Sequence, residues 1–176
     1  MTFESLTEKL RKIKLLAMDV DGTLTDGAMY YTERGEELKR FSTRDGMGIK
    51  LLQNSGIFTA IITSENSLIA QARARKLEIE DCIINSKDKV ADIRELAQTR
   101  GLTTNEIAYI GDDINDLEII KIVGVSACPS DAVDAVRQSA GYVCKASGGN
   151  GAVREFAEMI VTAQNKSISY VDAGRI

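Results

Sequence analysis

Leu15-Leu16-Ala17-Met18-Asp19-Val20-Asp21-Gly22-Thr23 is the stretch on which the fold turns. An apolar run with no polar interruption ends abruptly in two carboxylates and a glycine. A strand buried on both faces reads this way, and it delivers its acids to one edge of a sheet. The pattern recurs outward along the chain. Residues 56–63 form a second apolar run, ending in the hydroxyl of Thr63; residues 106–113 form a third, ending in Asp112 and Asp113; residues 123–127, before Cys128-Pro129, form a fourth. Segments of helical period lie between and after them, at 47–55, 67–77, 87–100, 114–123, 132–139 and 151–163. Strands alternating with helices of this length predict an α/β fold, a Rossmann-like three-layer sandwich with a mainly parallel sheet. One segment breaks the alternation. Residues 27–32 and 36–41 flank Glu33-Arg34-Gly35 and predict a β-hairpin flap over about 27–41. Residues 164–176 read as a polar tail.

Composition narrows the class. The 176 residues suit one domain spanning 1–176, and 44% hydrophobic with 27% charged residues argues against long disorder. The chain lacks the long apolar run of a membrane-spanning helix, and its opening residues mix charges where a secretory signal is apolar. Lys and Arg total 22 against 26 acids, a net charge of −4, with no basic run to hold nucleic acid. Cys82, Cys128 and Cys144 are odd in number and widely spaced, which fits neither a disulfide framework nor a zinc site and points to a reducing cytoplasm. There is no histidine, so imidazole bases, His-dependent triads and His-ligated zinc are excluded. Chemistry must run on carboxylates, lysine, hydroxyls or a hard metal ion.

Polar groups gather where the predicted strands end, the edge at which an open α/β sheet binds ligands. Asp19 and Asp21 are two residues apart on an extended segment, and Gly22 allows a sharp turn after them. Asp116 stands one helical turn beyond Asp112, so both can face one site, although aspartate also caps helices there. Carboxylates brought together this closely repel unless a cation neutralises them, and Mg²⁺ is the natural oxygen-seeking partner. Lys89 can supply a fixed positive charge, and Thr63 a hydroxyl and a backbone N–H for a phosphate oxygen.

In this order, Asp19-Val20-Asp21-Gly22-Thr23, Thr63, Lys89 and Gly111-Asp112-Asp113 with Asp116 resemble the four motifs of the haloacid dehalogenase superfamily of phosphatases, over nearly the whole chain. The resemblance implies that Asp19 is the nucleophile and forms an aspartyl-phosphate. It makes Asp21 the general acid and then the base, with Thr63 and Lys89 holding the phosphoryl group. Mg²⁺ would be bound by Asp19, Asp112 and the Asp21 main-chain carbonyl, with Asp113 and Asp116 supporting. Lys87 competes with Lys89, which aligns better because it opens its helix directly after Asp88.

Members of the superfamily usually carry a cap domain, but the gaps from Asp19 to Thr63 and from Thr63 to Lys89 hold only a hairpin, two helices and two strands. This chain is similar to the capless sugar-acid phosphatases, which include octulosonate 8-phosphate and nonulosonate 9-phosphate phosphatases acting in cell-surface sugar biosynthesis. The likeness rests on the hairpin, residues 41–48 with Asp45, the Arg73-Ala74-Arg75-Lys76-Leu77 stretch, and Gly148 to Glu155. It implies a homotetramer in which a neighbouring hairpin lids each site. It also implies a substrate-binding set of Thr23, Asp45, Ser64, Glu65, Arg73, Lys76 and Arg154. Ser64-Glu65 tilts the expected substrate toward the nine-carbon sugar. A non-enzymatic alternative is a phosphatase-like assembly or regulatory domain partnering a cytidylyltransferase.

Overall fold

A computed structural model of the chain describes residues 5–166. In chain order its elements are α1 (Leu6–Arg11), β1 (Leu15–Met18), β2 (Tyr30–Thr32), β3 (Gly35–Leu38), α2 (Thr43–Asn54), β4 (Phe58–Ile62), α3 (Leu68–Lys76), β5 (Asp81–Ile83), α4 (Lys89–Arg100), β6 (Ile107–Ile110), α5 (Leu117–Ile122), β7 (Val125–Cys128), α6 (Asp134–Ser139), β8 (Tyr142–Val143) and α7 (Ala152–Ala163). Six strands form one sheet in the order β5-β4-β1-β6-β7-β8, every neighbouring pair parallel. β1, β6 and β7 are buried along their whole length, which is why their sequences are unbroken apolar runs. Alternate residues feed opposite cores. Leu16, Met18, Ala108 and Ile110 pack with Leu52, Ala74 and Phe156 of α2, α3 and α7, whereas Leu15, Ala17, Ile107 and Tyr109 pack with Ile93, Ile119 and Val136 of α4, α5 and α6. The three-layer sandwich is thus as the periodicity predicts.

Several boundaries differ, each for a local reason. α2 starts at Thr43 rather than 47, because the Ser42 hydroxyl accepts from the Arg44 N–H at 3.1 Å and caps it. α4 starts at Lys89 rather than 87, with the Asp88 carboxylate accepting from the N–H groups of Val90 and Ala91. The helix expected over 114–123 is split into a 3₁₀ turn at Ile114–Asp116 and α5. α6 begins at Asp134 instead of 132. The capping box between Ser5 and Glu8 that opens α1 was not anticipated from the charged opening residues. Nor was β8, two residues long at the sheet edge.

β2 and β3 pair antiparallel as a separate sheet, shorter than 27–41, with an isolated bridge between Thr25 and Phe41 at its foot. Tyr30, Tyr31 and Leu38 are 53%, 64% and 62% exposed, so these apolar side chains are not folded down on their own domain. The tail expected over 164–176 lies, from residue 167 onward, outside the described residues. Among the described residues no helix is long and apolar enough to cross a membrane.

Candidate active site

The chain leaves β1 toward β4 and β5 on one side, then returns to β6, β7 and β8 on the other. β1 is therefore the point at which strand order reverses, and the crevice for a ligand opens beyond the carboxyl ends of β1, β4 and β6. Asp19 is the first residue past β1. Its N–H donates to the Ile110 carbonyl at 3.0 Å, which sets it beside Gly111 and Asp112 at the end of β6.

Lys89, at the start of α4, reaches back under this edge. Its Nζ donates to Asp19 Oδ1 at 2.8 Å and to Asp116 Oδ1 at 2.7 Å, and the lysine and both acids are buried. Tyr109, fully buried in β6, donates its hydroxyl to Asp116 Oδ1 at 2.6 Å. The other Asp116 oxygen accepts from the Asp112 N–H at 2.9 Å and the Asp113 N–H at 3.3 Å. Asp116 therefore braces both the loop and Lys89. Exposed Lys87 has no part in this group. The Asp113 side chain accepts from the Ile114 N–H at 2.7 Å and caps the 3₁₀ turn. Asp112 is oriented from the other side, where the Thr23 hydroxyl donates to its Oδ1 at 3.1 Å.

Gly22, at φ 84°, lies so close to Asp112 that a Cβ there would overlap the carboxylate. The glycine loop approaches the same turn: the Gly149 N–H donates to the Thr23 carbonyl at 3.0 Å, and a Cβ on Gly148 would overlap the Gly22 carbonyl.

Oxygens of Asp19, Asp112 and Asp116 lie within 4.8 Å of one another, and the charge near them is unbalanced: three carboxylates meet one ammonium. Burial, followed by the charges of Asp19 and Asp116, pushes Asp112 up to about 8. Burial likewise raises Asp19, against the pull of Lys89. For Lys89, burial favours the neutral amine, but Asp19 and Asp116 outweigh it and hold the ammonium above its usual range. Burial raises Tyr109 well above the ordinary phenol, so it stays a donor. A hard divalent cation fits here, because it would neutralise the excess and its preferred ligands are carboxylate oxygens. Asp116 belongs to the geometric group, but both its oxygens are engaged, so the carboxylates that remain to face an ion are those of Asp19 and Asp112.

The other expected residues divide. Thr63 is buried at the end of β4, its hydroxyl accepting from the Glu65 N–H at 3.2 Å, with Glu65 exposed on the rim beyond it. Ser64 accepts from Asn115 at 3.3 Å, which joins the β4 and β6 loops. Asp21 turns its carboxylate to Lys39, whose Nζ donates to Oδ1 at 2.6 Å. Four residues of the expected substrate set are engaged elsewhere or lie apart. Asp45 accepts from the N–H groups of Gly151 and Arg154 and so caps α7. Arg73 donates to the Ser42 carbonyl at 3.0 Å and lies over the Phe41 ring. Arg154 donates to Glu158 at 2.6 Å. Lys76 is exposed in the last turn of α3, at the end away from Thr63. Residue type and helical spacing do not distinguish a ligand-binding charge from one used for capping or packing. Two contributors were missed altogether. Tyr109 read as one more apolar strand residue, and Lys39 as a polar residue of a hairpin strand.

A family model for haloacid dehalogenase-like hydrolases matches residues 79–156. The chain is 39% identical over 163 residues to the 3-deoxy-D-manno-octulosonate 8-phosphate phosphatase of Yersinia pestis, covering 93% of this chain and 87% of that protein. The crystal structure of the Moraxella catarrhalis phosphatase of that name, in complex with magnesium ion, phosphate ion and KDO, matches with a TM-score of 0.87 at 40% identity, covering 90% and 91% of the two chains. The cobalt-bound form of the corresponding Haemophilus influenzae phosphatase matches with a TM-score of 0.89 at 38% identity, covering 94% and 96%. Likeness of this extent, together with acids converging where strand order reverses, makes the chain a member of the haloacid dehalogenase-like hydrolase family, in its sugar-acid phosphatase group.

Proposed function

We propose that this protein is a Mg²⁺-dependent phosphatase that removes the terminal phosphate of 3-deoxy-D-manno-octulosonate 8-phosphate. The observation that carries the reading is the buried Asp19–Lys89 pair beside an electrostatically strained Asp112. Phosphoryl transfer asks the protein mostly for positioning and charge neutralisation, and this group offers both without an imidazole. Asp19 and Asp112, with the Asp21 main-chain carbonyl, would hold Mg²⁺, which when bound supplies positive charge to the phosphate oxygens. Lys89 holds the Asp19 carboxylate in place, and Thr63 lies ready at the neighbouring strand end to donate to a phosphate oxygen.

An Asp19 oxygen attacks phosphorus, and the bond from phosphorus to the sugar oxygen breaks with its electron pair on that oxygen. The Asp21 carboxyl gives its proton to the departing oxygen. Water then attacks the aspartyl-phosphate and yields a proton to the Asp21 carboxylate. The bond between phosphorus and the Asp19 oxygen breaks, which restores the Asp19 carboxylate and releases inorganic phosphate.

The relatives' names support the eight-carbon sugar over the nine-carbon one suggested by Ser64-Glu65. Ser64 and Glu65, on the rim beside Thr63, are the residues of the expected set best placed to meet the sugar. The exposed hairpin residues Tyr30, Tyr31 and Leu38 support self-association, a neighbour covering the open site as in the homotetramer that the resemblance implies.

Phosphate release from octulosonate 8-phosphate and from nonulosonate 9-phosphates tests the assignment directly. The shorter sugar is expected to have the higher kcat/KM, and Asp19→Asn should lower turnover by more than about 10³-fold without unfolding the protein. Retained turnover in that variant, or none from the wild type with Mg²⁺, would refute the reading.

A further inference from the structure

The chemistry above uses one buried lysine and leaves another without a task. Lys39 follows β3 at the foot of the hairpin, and its side chain is completely covered. It does not simply fill space: Nζ donates to Asp21 Oδ1 at 2.6 Å. Burying an ammonium costs stability unless a partner offsets it, so a lysine placed here has a specific partner to hold. The second Asp21 oxygen, Oδ2, is shielded from solvent and has no hydrogen-bond partner among the described residues. Each of the two aspartates at the end of β1 thus has its own buried lysine, Lys89 on Asp19 and Lys39 on Asp21.

We propose that Lys39 is a positioning residue for Asp21, occupying Oδ1 so that Oδ2 alone stays free to exchange a proton with the leaving group. This rests on the reading of Asp21 as the acid and base of the phosphatase. A carboxyl that gives and then recovers a proton at one place must keep its orientation between the two steps, and a charge-assisted hydrogen bond to its other oxygen supplies that constraint. The foot of the hairpin is anchored well enough for this. Arg40, the next residue, donates to Asp26 at 3.2 Å, to the Gly149 carbonyl at 3.4 Å and to Asn150 at 3.0 Å, while Phe41 bridges to Thr25. The hairpin is thereby joined to the acid and base as well as to the surface at which copies of the chain would meet.

The test uses leaving groups. A sugar alkoxide needs the Asp21 proton as the phosphorus–oxygen bond breaks, whereas 4-nitrophenolate departs without it. With the full chain and Mg²⁺, kcat/KM is measured for octulosonate 8-phosphate and for 4-nitrophenyl phosphate, because this ratio reports the steps through departure of the first leaving group. Lys39→Met is expected to lose about 10-fold or more on the sugar ester beyond its loss on the aryl ester, a share of the general-acid contribution. Lys39→Arg should restore much of the difference. Lys39→Gln, which keeps a donor and removes the charge, reads the same ratio should the Met variant not fold. Asp21→Asn sets the scale. Equal losses on the two esters in the Lys39 variants, or a gain on the sugar ester, while Asp21→Asn remains selective, overturn the role of Lys39 alone. Equal losses in Asp21→Asn overturn the assignment of Asp21 and this proposal with it.

Discussion

Gly22 shows how much of the site depends on a single atom. Its φ of 84° is costly for other residues, and the Cβ of an alanine would overlap the Asp112 carboxylate. Gly22→Ala is therefore expected to displace Asp112, raise the Mg²⁺ concentration needed for half-maximal activity, and cut kcat/KM by about 10²-fold. A Mg²⁺ titration of activity decides it, and an unchanged midpoint would contradict the placement of Asp112. At this scale the sequence was legible where chemistry and position coincide. Asp19, Lys89 and Asp112 stand at strand ends or a helix start, where apolar periodicity stops and a charged residue is conspicuous. The capping role of Asp45 was not legible, because the N–H groups it caps belong to α7, far along the chain, and nothing near residue 45 announces them.

At the scale of elements, α2 and α7 lie in close contact because Gly48 has no side chain. A Cβ there would stand 2.8 Å from the Arg154 Cα, so Gly48→Val should force the helices apart and cost about 1–3 kcal/mol, measured by urea unfolding. Asp45 joins the same two helices, and burial raises its pKa. For an acid whose native pKa is raised, the associated stability is fully present below the unfolded value, about 3.9, and is lost as pH rises through the native value. Asp45→Asn removes this titration. The stability of the wild type relative to Asp45→Asn is therefore expected to fall as pH rises above about 4, as read from melting curves of both. A constant difference would mean that Asp45 titrates alike in the folded and unfolded chain. Gly46 and Gly48 look like helix breakers in isolation, yet they sit inside α2, where Gly48 leaves room for α7.

For the whole molecule, metal binding and the proposed self-association are the two levers. Asp112 stands at about 8 in the metal-free protein, and a divalent ion binds its carboxylate form. Metal-free protein should lose stability as pH rises through that value, and Mg²⁺ should restore it. The rise in Tm on adding Mg²⁺ is accordingly expected to be larger at pH 8.5 than at pH 6, and removal of Mg²⁺ should abolish turnover. The hairpin carries the second lever. Tyr31→Asp with Leu38→Asp places charge on its exposed apolar face and should shift the protein to smaller species in sedimentation velocity. An unchanged sedimentation coefficient would exclude the hairpin as the self-association surface.

Motif order and periodicity were sufficient to establish a parallel sheet with acids along one edge. A strand buried on both faces tolerates no polar residue until it leaves the core, and a sharp turn there calls for glycine, so both facts are written locally. The pairing of each acid with its cation was settled by the folded arrangement. Lys89 reaches Asp19 and Asp116 from the start of α4, Lys39 reaches Asp21 from the foot of the hairpin, and Tyr109 meets Asp116 inside the core. Such contacts join residues from different elements, and their partners are selected by three-dimensional approach and by the need to compensate buried charge, neither of which leaves a periodic trace along the chain.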